Sequence, residues 1–487
     1  MSARLPLLAL ALVGLGGCAG VRPQAAFDDV EATLAERTDL RVVWATGTAE
    51  DAAARAAVDS LLADSLTAGA AVQIALLHNR RLQATYEDLG VAQASLVQAG
   101  LLSNPVFGAR ALWPIDDGGA PDLGFNVAFE FLDVFYLPLR KRVARSVYEA
   151  ARLRAASAVL DLAAETRTAY VRAQADAARL GMQARVVQNA EAGYQAARLL
   201  REAGNVPAVD LLAEQALYEQ ARLDLLVAEG AAAESREALV RRMGLSGPDA
   251  AIRLASDLPP IPTESPLPFV RTSAEAGMPT ATVDVAAIER AAVEASLALA
   301  AARQDVETAA ARLGVTHVAG LLPDLEVGGE VEREEGEWSA GPEAEVVLPL
   351  FDQGQAARAA GRAELRRARA LYEAVAVDVR SAARVLAQRL ATARRAGLHY
   401  QTVVLPLRAE LSAQTLRQVN AMQTGVFGLL QAQRQEVEAA RAYVDALAAY
   451  WTARADLDLL LQGRTPPLDG GALALSAAGP SMPTDRH

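Results

Sequence analysis

Cys18 is the only cysteine among 487 residues, and it stands directly after Leu15-Gly16-Gly17. Arg4 and an apolar run from Leu5 to Leu15 precede it. That is the layout of a cleavable secretory signal. Small residues before a cysteine also resemble a bacterial lipobox, which makes the Cys18 thiol a lipid-attachment point. A lone cysteine leaves no internal disulfide to form. A second chemistry lies in the acidic residues. Glu130, Glu326, Glu330, Glu332, Glu343 and Glu345 alternate with apolar positions in three short segments. Period two puts such residues on one face of a strand. Where carboxylates line a passage they favour cations; otherwise they keep a face wet. Catalysis has little to work with. His78, His317, His399 and His487 are scattered without metal-ligand spacing, and no phosphate loop or nucleophile elbow occurs. No enzyme activity, cofactor or metal centre is expected.

The elements that must position these residues come in two copies. Pro138-Leu139-Arg140 opens a helical stretch of about 65 residues, roughly 97 Å at 1.5 Å per residue. Pro349-Leu350-Phe351 opens another, running to about Gln423, and the openings lie 211 positions apart (349 − 138). Two β-like segments precede each opening, at about 106–113 and 123–132, and at about 323–333 and 339–348. Phe125, Val127, Phe129 and Phe131 alternate with Asn126, Ala128 and Glu130. Segments of about ten residues with two unlike faces fit transmembrane barrel strands. Trp113 and Trp338 sit near loop ends, where interfacial aromatics are expected.

The helices carry seams. Val72, Leu76, Asn79, Leu82, Tyr86, Leu89, Ala92, Leu96 and Ala99 recur at steps of three and four within one helix expected over 70–102. Leu365, Ala368, Tyr372, Val375, Val379, Ala382, Leu386, Leu390 and Ala393 do the same in the second copy. The reading is a mainly α chain with a small β part, a duplicated coiled-coil unit. It divides into a signal peptide (1–17), a partly extended lead-in (18–66) closing with an acidic, Ala-rich helix around 51–66, a first repeat (67–247), a connector (248–282), a second repeat (283–463) and a disordered tail (464–487). Each repeat runs helix, strand, strand, helix.

The net charge of −12 speaks against nucleic acid, whose binders carry a basic patch. No run of 18 apolar residues follows the leader, so any membrane crossing would be a β-barrel. Four strands cannot close around a lumen, and open edges in hydrocarbon leave backbone groups unpaired. Three copies would supply twelve strands.

The motifs Ala71-Val72-Gln73-Ile74-Ala75-Leu76-Leu77-His78-Asn79-Arg80-Arg81-Leu82, Ala99-Gly100-Leu101-Leu102-Ser103-Asn104-Pro105 and Asp210-Leu211-Leu212-Ala213-Glu214-Gln215 accompany the duplicated Pro-Leu helix starts. Over roughly 28–463 the chain resembles the outer-membrane efflux proteins of the TolC type, in the lipoprotein branch serving heavy-metal and drug pumps. The resemblance implies a homotrimeric duct through a twelve-stranded barrel, lipid-anchored in the outer membrane, docked to a periplasmic adaptor and an inner-membrane pump. Ala19 after the cysteine, rather than Asp, agrees with the outer membrane. Several members close the periplasmic end with aspartates. Here the region reads Gln418-Val419-Asn420-Ala421-Met422-Gln423, so Asn420 and Gln423 are the constriction candidates. Two alternatives are a periplasmic adaptor lipoprotein and a coiled-coil lipoprotein without a pore.

Overall fold

The computed structural model describes residues 23–113, 121–131, 133–255, 258–263, 269–275, 278–319, 325–334, 337–346, 350–351 and 353–468. Cys18 with the 1–17 leader, Leu348, and the tail beyond Leu468 lie outside the described residues. The chain divides into two units, Met1–Thr33, Ala84–Ala156 and Ala298–Val375 in one, Leu34–Gln83, Ser157–Leu297 and Ala376–His487 in the other.

The lead-in carries one helix beyond the acidic, Ala-rich one expected around 51–66. It holds α1 (Pro23–Ala35) and α2 (Ala49–Ala63). Ala26, Phe27, Val30 and Leu34 are all buried, at steps that make one helical face. Phe27 meets Tyr86 edge to face at 4.9 Å, and burial pushes the Tyr86 phenol upward.

The helix expected over 70–102 is two helices, α3 (Ala68–His78) and α4 (Arg80–Gln98). Asn79 breaks it with extended backbone, φ −69° and ψ 114°. Its side-chain oxygen then accepts from the amides of Arg81 and Leu82 and restarts the helix, while its NH₂ donates to the Arg242 carbonyl. The seam residues Val72, Leu76, Leu82, Tyr86 and Leu89 are still buried.

After α4 come β1 (Val106–Leu112) and β2 (Asp122–Glu130), then α5 (Asp133–Glu202) and α6 (Ala208–Met243). Helix α5 has 70 residues and starts ahead of Pro138 rather than at it. Pro138 removes only the bond its amide would make to Val134. The connector contains an unforeseen antiparallel hairpin, β3 (Val270–Glu275) with β4 (Met278–Val283).

The second copy repeats the breaks of the first. Helix α7 (Val285–Ala295) has 11 residues, as does α3, and starts 217 positions later (285 − 68). Thr67 and Asp284 cap these helices alike, accepting from the amides of Ala70 and Ala287. Ser296 breaks the chain as Asn79 does, at φ −61° and ψ 111°. Then follow α8 (Leu297–Ala319), β5 (Leu325–Glu334), β6 (Glu337–Val346) and α9 (Gln355–His399).

The second long helix is not continuous to Gln423. A π-helical turn at Tyr400–Val404 separates α9 from α10 (Leu405–Asn420). Pro406 has no amide for the Thr402 carbonyl, and the helix widens just before it. A turn through Met422, at φ +57°, leads into α11 (Val426–Leu461).

The second unit holds an extensive core. Val379, Ala382, Leu386, Leu390 and Ala393 of the α9 seam are buried there, with Leu447, Tyr450, Leu457 and Leu460 of α11. In the first unit the same seam is only half-buried at Leu365, Ala368, Tyr372 and Val375. No helix among the described residues is long and apolar enough to cross a membrane.

Candidate functional site: a two-faced sheet with open edges

The four strands β1, β2, β5 and β6 form one antiparallel sheet in the order β1-β2-β5-β6. The register sorts side chains by face, because residues directly opposite share a side. Phe107 lies opposite Val127, Phe125 opposite Val331, Phe129 opposite Val327, and Leu325 opposite Val346. With Leu123, Ala340 and Ala344 they make one apolar face, interrupted only by Arg333. Phe107, Phe125 and Trp338 stack across strands at 6.3 and 6.5 Å, and the Arg333 guanidinium lies 6.0 Å from the Trp338 ring centre. These apolar groups are exposed: Phe107 is 67% and Val127 47% accessible.

The other face is acidic and small. All six glutamates singled out in the sequence lie on it. Glu130 is opposite Glu326, and Glu326 opposite Glu345, so three carboxylates form one row across β2, β5 and β6. Glu330 faces Asn126 and Gly341, Glu343 faces Gly328, and Glu332 faces Gly124 and Ser339. A Cβ on Gly328 would meet the Val127 carbonyl oxygen at 2.4 Å, so only glycine fits that crossing. Like charges directly opposite destabilise a sheet, and a row of three persists where water and counter-ions reach it.

Sequence reasoning missed three members of this face. Arg110 pairs with Glu332. Glu334 and Glu337 belong to the strands and lie opposite each other, not in the loop. Continuing the two-residue alternation toward the turn identifies both glutamates. The strands accordingly sit about two residues closer to their turn than expected. Among the described residues β1 pairs only with β2, and β6 only with β5, so both sheet edges are open.

A latch joins the segment ahead of β1 to the long helix. Asp133, buried at the start of α5, accepts from the Ser103 amide at 2.8 Å and hydroxyl at 2.7 Å, and pairs with Arg140 at 2.8 Å. Burial pushes this carboxyl up, but Ser103 and Arg140 together hold it below the usual aspartate range. A depressed native pKa contributes stability that is present above the unfolded value, about 3.9, and is lost as pH falls through the native one. Asp133→Asn should therefore cost about 2 kcal/mol at neutral pH, with a wild-type advantage in thermal unfolding that shrinks in acid below about pH 4. An advantage independent of pH would refute the ionised latch.

Asn420 ends α10 and Gln423 follows the exposed Met422 in the turn; both side chains are exposed. They are close in the chain, and they lie far along the sequence from the sheet glutamates.

No protein-family model and no curated protein sequence matches the chain. Solved structures do. CusC, described for conformational changes accompanying folding and transmembrane channel formation, matches with a TM-score of 0.63 at 16% identity, over 82% of this chain and 92% of its own. The outer-membrane channel OprN matches with 0.63 at 18%, over 88% and 94%. The outer membrane protein VceC from Vibrio cholerae matches with 0.59 at 17%, over 81% and 96%. The two-faced sheet set among long paired helices is thus the fold of the outer-membrane channels, the TolC-type architecture that the sequence motifs resemble.

Proposed function

We propose that this protein is the outer-membrane channel of a tripartite efflux system. Three copies join β1 edges to β6 edges and close twelve strands into a barrel. The duct is passive and non-catalytic, and it carries small molecules or metal ions from a periplasmic adaptor and inner-membrane pump to the exterior. The observation that carries this reading is the sheet: apolar outside, acidic inside and unpaired at both edges. Such a sheet is unsatisfied alone and complete when the edges meet, because hydrocarbon offers backbone groups no partner. The exposed apolar face then meets lipid, and Glu130, Glu326, Glu330, Glu332, Glu343 and Glu345 line a cation-preferring lumen. Cys18 carries the lipid anchor after removal of 1–17. The repeats span 67–247 and 283–463. Among the described residues the strands are six, too few for the many-stranded domains an adaptor would carry.

The test is single-channel recording of the purified full chain in planar bilayers, with its mass in detergent. Trimers and discrete conductance are expected; a folded monomer with no conductance overturns the reading. The same recordings bear on the periplasmic end, where we place a constriction at Asn420 and Gln423. Asn420→Ala with Gln423→Ala should raise the closed-state leak, and an unchanged leak removes those residues from the gate.

A further inference from the structure

The apolar face of the sheet does not stop at the strands. Phe131 continues the alternation of Phe125, Val127 and Phe129, and its ring meets Phe135 in the first turn of α5 at 5.9 Å, edge to face. Phe135 is itself 55% exposed. Seven residues beyond it stands Arg142, two helical turns along on the same face. Arg145 lies one turn further.

The second repeat carries the same order. Phe351, 93% exposed, is followed seven residues later by Arg358 and then Arg362 on adjacent turns of α9. Phe351 lies 216 positions after Phe135 (351 − 135), and Arg358 lies 216 after Arg142 (358 − 142). The strand register aligns the strand ends from which the two segments follow. Glu130 and Glu345 share a row, Phe135 comes five residues after the first, and Phe351 six after the second.

These cations have no internal reason for their places. Among the described residues, Arg142, Arg145, Arg358 and Arg362 form no side-chain ion pair. Arg140 is different: it is turned to Asp133. Residues 139–145 hold four cations and no acid in a chain of net charge −12. Helix N-terminal turns favour carboxylates, yet the charged residues in the opening of α9 are Arg358 and Arg362.

Resting on the channel reading above, we infer that these two segments form an aromatic–basic collar that binds the phosphates of an anionic phospholipid surface. Along α5 the seven residues from Phe135 to Arg142 span about 10 Å, while Phe351 stands four residues ahead of the first residue of α9. The headgroup layer is roughly 5–8 Å deep on each side of the hydrocarbon. Phe135 and Phe351 therefore sit at the hydrocarbon boundary, and the arginines, extended on their long stems, reach the phosphates. The collar fixes the depth at which the barrel rides, and it separates the basic outer rim from the acidic inner face.

The full chain, purified in detergent, is titrated with phosphatidylglycerol and, separately, phosphatidylcholine, and bound lipid is counted by native mass spectrometry. Wild type should retain phosphatidylglycerol at least five-fold more strongly, since each basic residue near a lipid surface contributes roughly that factor. A variant with Arg142→Gln, Arg145→Gln, Arg358→Gln and Arg362→Gln should bind both lipids alike. The four corresponding Arg→Lys changes should keep the preference, which separates charge from misfolding. Inorganic phosphate at millimolar concentration should not compete. No preference in wild type, an unchanged preference in the Gln variant, or full competition by phosphate each overturns the collar. Conductance of wild type and the Gln variant is recorded in parallel. Channels that conduct without a lipid preference sink the collar alone, whereas absence of conductance in wild type sinks the channel reading.

Discussion

If the acidic face lines the proposed duct, replacing Glu130, Glu326 and Glu345 with lysine should turn cation preference into anion preference. The three carboxylates face each other across β2, β5 and β6, with neighbouring strands about 4.8 Å apart. At physiological salt the Debye length is about 8 Å, so the row acts on a passing ion as one band of charge. A narrow lumen with low-dielectric walls strengthens that field. Three substitutions move the band from −3 to +3 per chain, while Glu330, Glu332 and Glu343 stay on the same face and Arg110 already offsets Glu332. The reversal potential across a salt gradient should change sign. It should move less with glutamine at the same three positions. In about 1 M salt, where the Debye length is near 3 Å, the contrast should narrow. An unchanged sign would mean that these glutamates do not line the conducting path.

The sheet was legible in the sequence because its information is local. Phe125-Asn126-Val127-Ala128-Phe129-Glu130 states a period of two without any reference to the rest of the chain. What alternation cannot state is register. That Glu130, Glu326 and Glu345 fall on one row depends on how β2 meets β5, some 200 residues away, and on the lengths of two turns. Arg110 escaped notice for the same reason: its partner Glu332 is visible only once β1, β2 and β5 are aligned.

The helix breaks were illegible for a different reason. Asn79 sits on the seam of α3 and α4 at a spacing that suits a buried helical residue, and it is buried. Its backbone is extended because its amide group can reach the Arg242 carbonyl and its oxygen can recap the next helix. A periodic pattern does not distinguish an asparagine that continues a helix from one that stops and restarts it. Ser296 poses the same ambiguity. Pro406 was the readable warning in the second long helix, and Pro138 the misleading one, since it lies inside α5. The first-unit half of the α9 seam, Leu365 to Val375, is only half-buried, although its spacing matches that of the buried half from Val379 to Ala393.

Phe125→Arg should prevent assembly into the membrane, while Asn126→Arg, one residue along the same strand, should permit it. Phe125 stands at the middle of the apolar face, stacked between Phe107 and Trp338. An arginine on the lipid face near the bilayer midplane costs about 2–4 kcal/mol. The lost ring contacts add about 0.5–1.5 kcal/mol each. A closed trimer carries the substitution three times, so the total reaches about 10 kcal/mol or more, comparable to the whole stability of an ordinary domain. Asn126 points to the opposite face, opposite Glu330, where an added guanidinium gains a carboxylate neighbour. The two variants introduce the same side chain one position apart in β2 and differ in the side of the sheet it occupies. Membrane fractionation with heat-modifiable gel mobility reads the outcome. Should both variants assemble equally, the phenylalanine face does not meet lipid, and the edges of β1 and β6 close around some other centre than a membrane barrel.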